Sequence, residues 1–215
     1  MSERLRAEAR LKAAGVTIFG AAFFAAYFLT LKYPLFLVTQ MPYTALDRAI
    51  PFQPHSFWLY ASLWVYVVVP PALLKDRSQL VFYGAAASAV AFAGLLIFFF
   101  WPTAVPNPDI DWNRFPSLLW LKSVDASGNA CPSLHAAFAV FSGLWLHRIL
   151  RQMGAPEPLK LLNGAWCVAI LWSALALKQH VAVDILAGSA LGAFMALPRG
   201  RRFRARGTGR PAAAG

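Results

Sequence analysis

The chain has 215 residues, of which 59% are hydrophobic and 13% are charged, with a mean hydropathy of +0.52. This balance excludes an ordinary soluble domain, in which about 25% of the residues are charged. The net charge of +11 would suggest a nucleic-acid partner if the basic residues belonged to a polar domain. They flank long apolar runs instead, so we expect a membrane as partner and no nucleic acid.

Six runs with few or no charges follow one another along the chain, each near the roughly 20 residues that cross a hydrocarbon core. They cover residues 16–31, 57–74, 79–101, 134–146, 161–177 and 181–197. Because a bilayer cannot satisfy open backbone groups, and because the runs are too long for barrel strands, we predict an all-α polytopic membrane bundle of six transmembrane helices. The predicted organisation is a basic cytoplasmic N-terminus at residues 1–15, a membrane domain at residues 16–197 and a basic disordered cytoplasmic tail at residues 198–215.

The Lys and Arg residues between these runs alternate strictly between the two sides of the predicted bundle. One side, which includes both termini, carries fifteen of them and the other carries five. The positive-inside rule therefore predicts cytoplasmic termini. With the high Ala and Arg usage, this favours a multi-pass protein of a bacterial inner membrane. The two outer connections, residues 32–56 and 102–133, are long, and loops of this length usually have a functional role.

Three of the four histidines, His55, His135 and His180, lie at predicted outer helix ends. His147 follows His135 by twelve residues, which places it about 18 Å deeper on a helix. His180 and Asp184 are four residues apart and share a helix face. Asp184 lies inside a predicted membrane span, where an ionisable side chain costs free energy and usually has a functional role. A carboxylate orients an imidazole and leaves its other nitrogen free as nucleophile or base, which would make the His180–Asp184 pair catalytic. Alternatively, the pair is structural and joins two helices through a polar contact.

The segment before the fourth run is typical of a helix start, with Ser133 as N-cap and His135 in the first turn. Such a terminus binds anions through its unpaired N–H groups and its dipole. Two histidines near this terminus suit phosphoryl transfer, with Lys178, Ser133 and backbone amides holding the phosphate. We expect no metal and no cofactor, because Asp109 and Asp111 stand in a Pro-rich loop without a nearby Glu.

Two segments resemble signatures of the type 2 phosphatidic acid phosphatase superfamily. Residues 129–136, Asn-Ala-Cys-Pro-Ser-Leu-His-Ala, resemble the second signature, and residues 180–188, His-Val-Ala-Val-Asp-Ile-Leu-Ala-Gly, resemble the third. The resemblance covers about residues 42–197. Residues 46–54, Leu-Asp-Arg-Ala-Ile-Pro-Phe-Gln-Pro, and residues 100–106 are similar to the branch that contains inositol phosphorylceramide synthase-like phosphotransferases.

This resemblance implies a metal-independent lipid phosphatase or phosphotransferase with its active site at the outer face. It implies His180 as the nucleophile that forms a phosphohistidine and Asp184 as its orienting partner. His135 is then the acid for the leaving alkoxide and later the base for the acceptor.

The sequence departs from the family pattern in its phosphate ligands. The first signature, Lys-x6-Arg-Pro, is absent, and Ala174 replaces the Arg that follows the family's Ser in the third. We therefore expect Lys178 to supply a cation for the phosphate, and either Arg114 or Lys122 of the 102–133 connection to supply another.

Two questions stay open at the level of sequence. The acceptor of the phosphoryl group is either water or an alcohol, including a lipid alcohol. The alternative class is a transporter or flippase in which His180 and Asp184 relay protons. That alternative predicts charged residues along several spans, whereas Asp184 is the only acid inside any predicted span.

Overall fold

The computed structural model describes residues 2–116, 118 and 128–197, and this part of the chain is mostly helical. The predicted C-terminal tail, residues 198–215, lies outside the described residues. The helices are α1 (Ser2–Arg6), α2 (Ala9–Lys32), α3 (Ala45–Ala49), α4 (Phe57–Ala61), α5 (Leu63–Tyr66), α6 (Val69–Leu73), α7 (Arg77–Phe100), α8 (Leu134–Gln152), α9 (Glu157–Ala176) and α10 (Ala182–Ala196). Short 3-10 turns cover Pro54–Ser56 and Trp112–Arg114.

Three helices of the described part, α2, α7 and α9, are long and apolar enough to cross a membrane. The apolar α10 is shorter, with 15 residues, and α8 has 19 residues. The second predicted span is not one helix: it is divided into α4, α5 and α6. Pro70 and Pro71 lie in the first turn of α6, where the missing N–H groups are tolerated but a continuous helix is interrupted. Six membrane crossings therefore stay a prediction.

Contacts at the helix ends show which ends of the helices lie together. Near the start of α2, Lys12 donates a hydrogen bond to the carbonyl of Ala72 at 2.9 Å, and Arg148 donates to the carbonyl of Ala196. The start of α2 therefore lies beside the end of α6, and the end of α8 beside the end of α10. We call this the inner end. The opposite end, where α2 ends and α8 begins, is called the outer end.

The core surrounds α8, which packs against α10, α9, α7 and α6. Its large side chains Phe141, Trp145 and Ile149 are fully buried. Two glycines of α10 allow a very close approach, because a Cβ at Gly188 would lie 2.1 Å from the Ser133 carbonyl oxygen, and one at Gly192 would lie 2.1 Å from that of Ala137. The small residues spaced four apart on α10 are thus a packing device.

A two-stranded parallel sheet, which the sequence analysis did not predict, joins the two long outer connections. Strand β1 (Thr39–Gln40) pairs with β2 (Thr103–Ala104), and Thr103 also bridges to Asn129. The Thr103 hydroxyl accepts a hydrogen bond from the backbone N–H of Cys131 at 2.7 Å. These contacts fix the segment that leads into α8.

Candidate active site

His180 and Asp184 form the hydrogen-bonded pair that their spacing predicts. His180 lies in the turn just before α10, and its Nδ1 is 3.1 Å from Oδ2 of Asp184 in the first turn of that helix. Asp184 is completely buried, with 0% of its surface exposed. Because Nδ1 is engaged by a buried carboxylate, Nε2 is the ring nitrogen left for chemistry.

His135 lies in the first turn of α8, directly after the N-cap residue Ser133. The Ser133 hydroxyl accepts a hydrogen bond from the backbone N–H of Ala136 at 3.1 Å, which confirms the predicted cap. The rings of His135 and His180 have centroids 6.3 Å apart, with an angle of 39° between their planes. The structure thus brings together two histidines separated by 45 positions in the sequence, at the outer end of the bundle.

The backbones of α8 and α10 hold these two histidines in register. The N–H of Ser133 donates to the carbonyl of Asp184 at 3.0 Å, and Gly188 contacts the Ser133 carbonyl from the next turn. The relative position of the rings therefore depends on how closely the two helices pack.

Tyr60 contributes to the site although nothing in the sequence singles it out. Its ring stacks on that of His135 with centroids 4.0 Å apart and planes inclined by 5°. Tyr60 is on α4, a helix distant from His135 in sequence. Only tertiary structure makes this contact, which restricts rotation of the imidazole.

Two polar nitrogens at the site are buried and have no hydrogen-bond partner within the described residues. They are Nε2 of His135 and Nε2 of Gln179. Both residues line the large cavity beside the histidines. Unpaired buried polar groups are rare in native proteins and mark a place where a ligand or water belongs.

Asp47 is a second buried acid, and it braces the turn that carries His180. Its Oδ1 accepts a hydrogen bond from the N–H of Ala182, the first residue of α10, at 2.8 Å. Its Oδ2 accepts bonds from the N–H and hydroxyl of Thr44, both at 2.7 Å. This role of Asp47 is not evident from the Leu-Asp-Arg segment of the sequence.

Lys178 lies close to the histidine turn, but its ammonium is occupied by backbone groups. It donates to the carbonyls of Asp47, at 2.7 Å, and of Ile50. Partial burial lowers the pKa of this ammonium, and the Asp47 carboxylate partly offsets that effect. Two of its three protons are thus directed at the protein, which leaves one for a phosphate oxygen.

The other two predicted phosphate ligands differ in their surroundings. Ser133 is completely buried, and its oxygen accepts the capping bond, so only its O–H proton is free to be donated. Arg114 is exposed in the 3-10 turn of the outer connection, and Lys122 lies outside the described residues. None of Lys178, Ser133 and Arg114 lines the cavity beside the histidines. The neighbouring rings of Trp112 and Phe115 pack on Phe52, with centroids 5.4 and 5.1 Å away.

The described residues contain no group of three or more His, Cys, Asp and Glu side chains that could hold a metal ion. The cysteines Cys131 and Cys167 are both free. Burial raises the pKa of the Cys131 thiol to about 11, which keeps it protonated and unreactive at neutral pH.

A cavity of about 1000 Å³ opens beside the histidines. Its walls come from α2, α4, α5, α6, α7 and α8, and they are almost entirely apolar. At the outer end it is lined by Asn129, His135 and His180, and at the inner end by Lys12. An amphiphile with a polar head at the histidines and an apolar tail in this cavity matches the distribution of polarity.

A mostly helical chain with three helices long and apolar enough to cross a membrane is typical of an integral membrane protein. The family model of the PAP2 superfamily matches residues 80–205, which is more than half of the chain. The chain therefore belongs to the PAP2 superfamily. No curated protein and no solved structure matches it.

Members of this superfamily are generally phosphatases or phosphotransferases that act on phosphorylated lipids. Family membership and the membrane-compatible helices fit a lipid phosphatase. The family match does not distinguish the branches of the superfamily, so the similarity of residues 46–54 and 100–106 to the inositol phosphorylceramide synthase-like branch stays a prediction.

Proposed function

We propose that this protein is a metal-independent lipid phosphatase or phosphotransferase that works through a phosphohistidine at His180. The observation that carries the proposal is the facing pair of imidazoles, 6.3 Å apart, at the mouth of an apolar cavity. One imidazole is backed by a buried carboxylate and the other presents an unpartnered nitrogen. This arrangement suits a nucleophile and an acid on opposite sides of one phosphoryl group.

In the first step, Nε2 of His180 attacks phosphorus and the bond to the lipid oxygen breaks. His135 gives its proton to the departing alkoxide, so that a neutral lipid alcohol leaves. The Asp184 carboxylate keeps the Nδ1 proton of His180 in place and stabilises the positive charge that develops on the ring.

In the second step, His135 removes a proton from the acceptor, whose oxygen attacks the phosphohistidine. The N–P bond breaks and Nε2 of His180 recovers its lone pair. With water as acceptor the product is inorganic phosphate, and with an alcohol it is a new phosphate ester. The N-terminus of α8, the remaining proton of Lys178 and the Ser133 hydroxyl are the donors available to the phosphate oxygens.

The proposed site faces the outer side of a bacterial inner membrane, with cytoplasmic termini. Two observations support this orientation: fifteen Lys and Arg residues belong to the side of the termini, and the start of α2 contacts the end of α6 as the end of α8 contacts the end of α10, which six crossings require. Arg114 stays a proposed phosphate ligand, supported by its long exposed side chain in the same connection that leads to α8.

Trapping of acid-labile phosphate tests the mechanism. Purified protein is mixed with a lipid phosphate carrying labelled phosphorus and quenched in alkali. We expect label on the wild type and on the His147→Ala control, and none on His180→Ala. Equal labelling of His180→Ala would contradict the nucleophile assignment.

Product analysis with and without an added lipid alcohol distinguishes the two acceptors. Release of inorganic phosphate alone identifies a phosphatase, and a labelled new ester identifies a phosphotransferase. Proton-coupled lipid movement in vesicles without any turnover would instead support the transporter alternative.

A further inference from the structure

Two side-chain amides, those of Asn129 and Gln179, border the cavity at the same end as the histidines. Asn129 lies six positions before His135 in the segment that leads into α8, and Gln179 directly precedes His180. Each amide has one buried atom without a hydrogen-bond partner in the described part of the chain: Oδ1 of Asn129 and Nε2 of Gln179. The phosphohistidine mechanism uses neither atom.

Contacts with α2 fix the orientation of the Asn129 amide. Its Nδ2 donates hydrogen bonds to the carbonyl of Tyr27, at 2.9 Å, and to the hydroxyl oxygen of Thr30, at 3.1 Å. Because a backbone carbonyl only accepts, the nitrogen of the amide and not its oxygen must face Tyr27. Asn129 is 6% exposed, so its Oδ1 is a buried acceptor that is held in place.

The two unpartnered atoms require opposite partners. Oδ1 of Asn129 needs an O–H or N–H group that donates, and Nε2 of Gln179 needs an oxygen that accepts. Phosphoryl oxygens accept and carry negative charge, so they suit Gln179 but repel the oxygen of Asn129. A hydrocarbon chain satisfies neither amide. Hydroxyl groups both donate and accept, so a ligand with several hydroxyl groups satisfies both.

His135 connects these amides to the chemistry. Its Nε2 is also buried and lacks a partner among the residues that the structure describes, and it lines the same cavity. In the proposed function His135 takes the proton of the acceptor. An acceptor whose reacting hydroxyl lies at His135 therefore has its other hydroxyls available to Asn129 and Gln179. A site that hydrogen-bonds a hydroxyl of its substrate discriminates strongly against an analogue without that group.

We propose that Asn129 and Gln179 form a binding subsite for a polyol, which accepts the phosphoryl group in place of water. One hydroxyl gives its proton to Nε2 of His135 while its oxygen attacks phosphorus. The N–P bond to His180 breaks, its electron pair returns to the imidazole, and a polyol phosphate ester leaves. The proton on His135 then serves the next departing alkoxide.

The amides act by positioning the acceptor. Neighbouring hydroxyls of the polyol donate to Asn129 and accept from Gln179, and these two contacts hold the attacking oxygen in line with the phosphohistidine. Water has no second hydroxyl and gains no such anchor. This inference rests on the proposed function and identifies the acceptor that it leaves open.

Competition between acceptors tests the subsite. The purified protein in detergent receives a lipid phosphate with labelled phosphorus, together with glycerol or with 1-propanol at the same concentration. Labelled ester and inorganic phosphate are then separated. We expect the ratio of ester to inorganic phosphate to be at least tenfold higher with glycerol, which is more than the number of hydroxyl groups explains. Equal ratios, or inorganic phosphate as the sole product, would overturn the proposal.

Two variants and two matched controls assign the preference to the amides. Asn129→Leu and Gln179→Met remove the polar atoms at similar side-chain volume. Thr30→Val removes one anchor of Asn129 and keeps the bond to Tyr27, and Gln152→Met alters an exposed glutamine at the inner end of α8. We expect the ratio with glycerol to fall at least tenfold in both amide variants and to keep its wild-type value in both controls.

The remaining outcomes separate this inference from the proposed function. An equal fall in Thr30→Val and Asn129→Leu would show that Asn129 is structural, and an unchanged ratio in Gln179→Met would remove Gln179 from the subsite. Gln179 belongs to a different segment, so its variant tests the subsite even where Asn129→Leu does not fold. Phosphohistidine and inorganic phosphate without glycerol ester would reject the inference alone, whereas absence of phosphohistidine and of any product would reject both.

Discussion

Replacement of Gly188 by alanine tests whether the close packing of α8 and α10 sets the position of the two histidines. A Cβ at this position would lie 2.1 Å from the Ser133 carbonyl oxygen, and ordinary contact begins at 3.4 Å. The helices must therefore separate locally by the difference, about 1.3 Å. The obstacle is backbone, so no side-chain rotation can relieve it.

This separation acts on both stability and chemistry. Overpacking of this kind costs about 1–3 kcal/mol. It also stretches the 3.0 Å bond from the Ser133 N–H to the Asp184 carbonyl and moves His135 away from His180. A misplacement of about 1 Å at reacting groups costs about 100-fold in rate, so we expect kcat of Gly188→Ala to fall by about that factor.

Two matched variants separate the two effects. Gly192→Ala meets the Ala137 carbonyl at the same 2.1 Å, one turn further from the histidines, and should lower the unfolding temperature similarly with a smaller loss of kcat. A Cβ at Gly164 would meet no atom within 4 Å, so Gly164→Ala should keep the wild-type unfolding temperature and kcat. Phosphate release from a lipid phosphate and thermal unfolding are measured in the same detergent. Full wild-type kcat in a folded Gly188→Ala protein would refute the reasoning.

Three further predictions concern the site itself. His180→Ala should abolish phosphate release, and Asp184→Asn should reduce kcat by about 10⁴-fold because the His180 imidazole loses its correct tautomer. The control His147→Ala should keep wild-type kinetics. Similar rates in all three variants would show that the His180–Asp184 pair is structural. Chelators should leave activity unchanged, and activity that returns only with added magnesium would contradict the mechanism. Asp47→Ala leaves the Ala182 N–H without its partner and should destabilise the protein by about 2–3 kcal/mol; an unchanged unfolding temperature would show that Asp47 does not brace the turn.

The local features of this protein follow from its sequence. Apolar runs near 20 residues predicted the long helices α2, α7 and α9, because burial in lipid demands that length. The Ser133 cap and the His180–Asp184 pair involve residues three and four positions apart, and short-range geometry fixes such contacts once the helix starts.

Contacts between distant segments were decided only by the tertiary structure. Tyr60 stacks on His135 and the Asp47 carboxylate binds Ala182, yet no periodicity links these positions in the chain. The positive charge of Lys178 was evident from the sequence, but its direction towards the carbonyls of Asp47 and Ile50 was not. A linear pattern specifies which face of a helix is apolar or charged, whereas the partner of that face depends on how all the helices pack together.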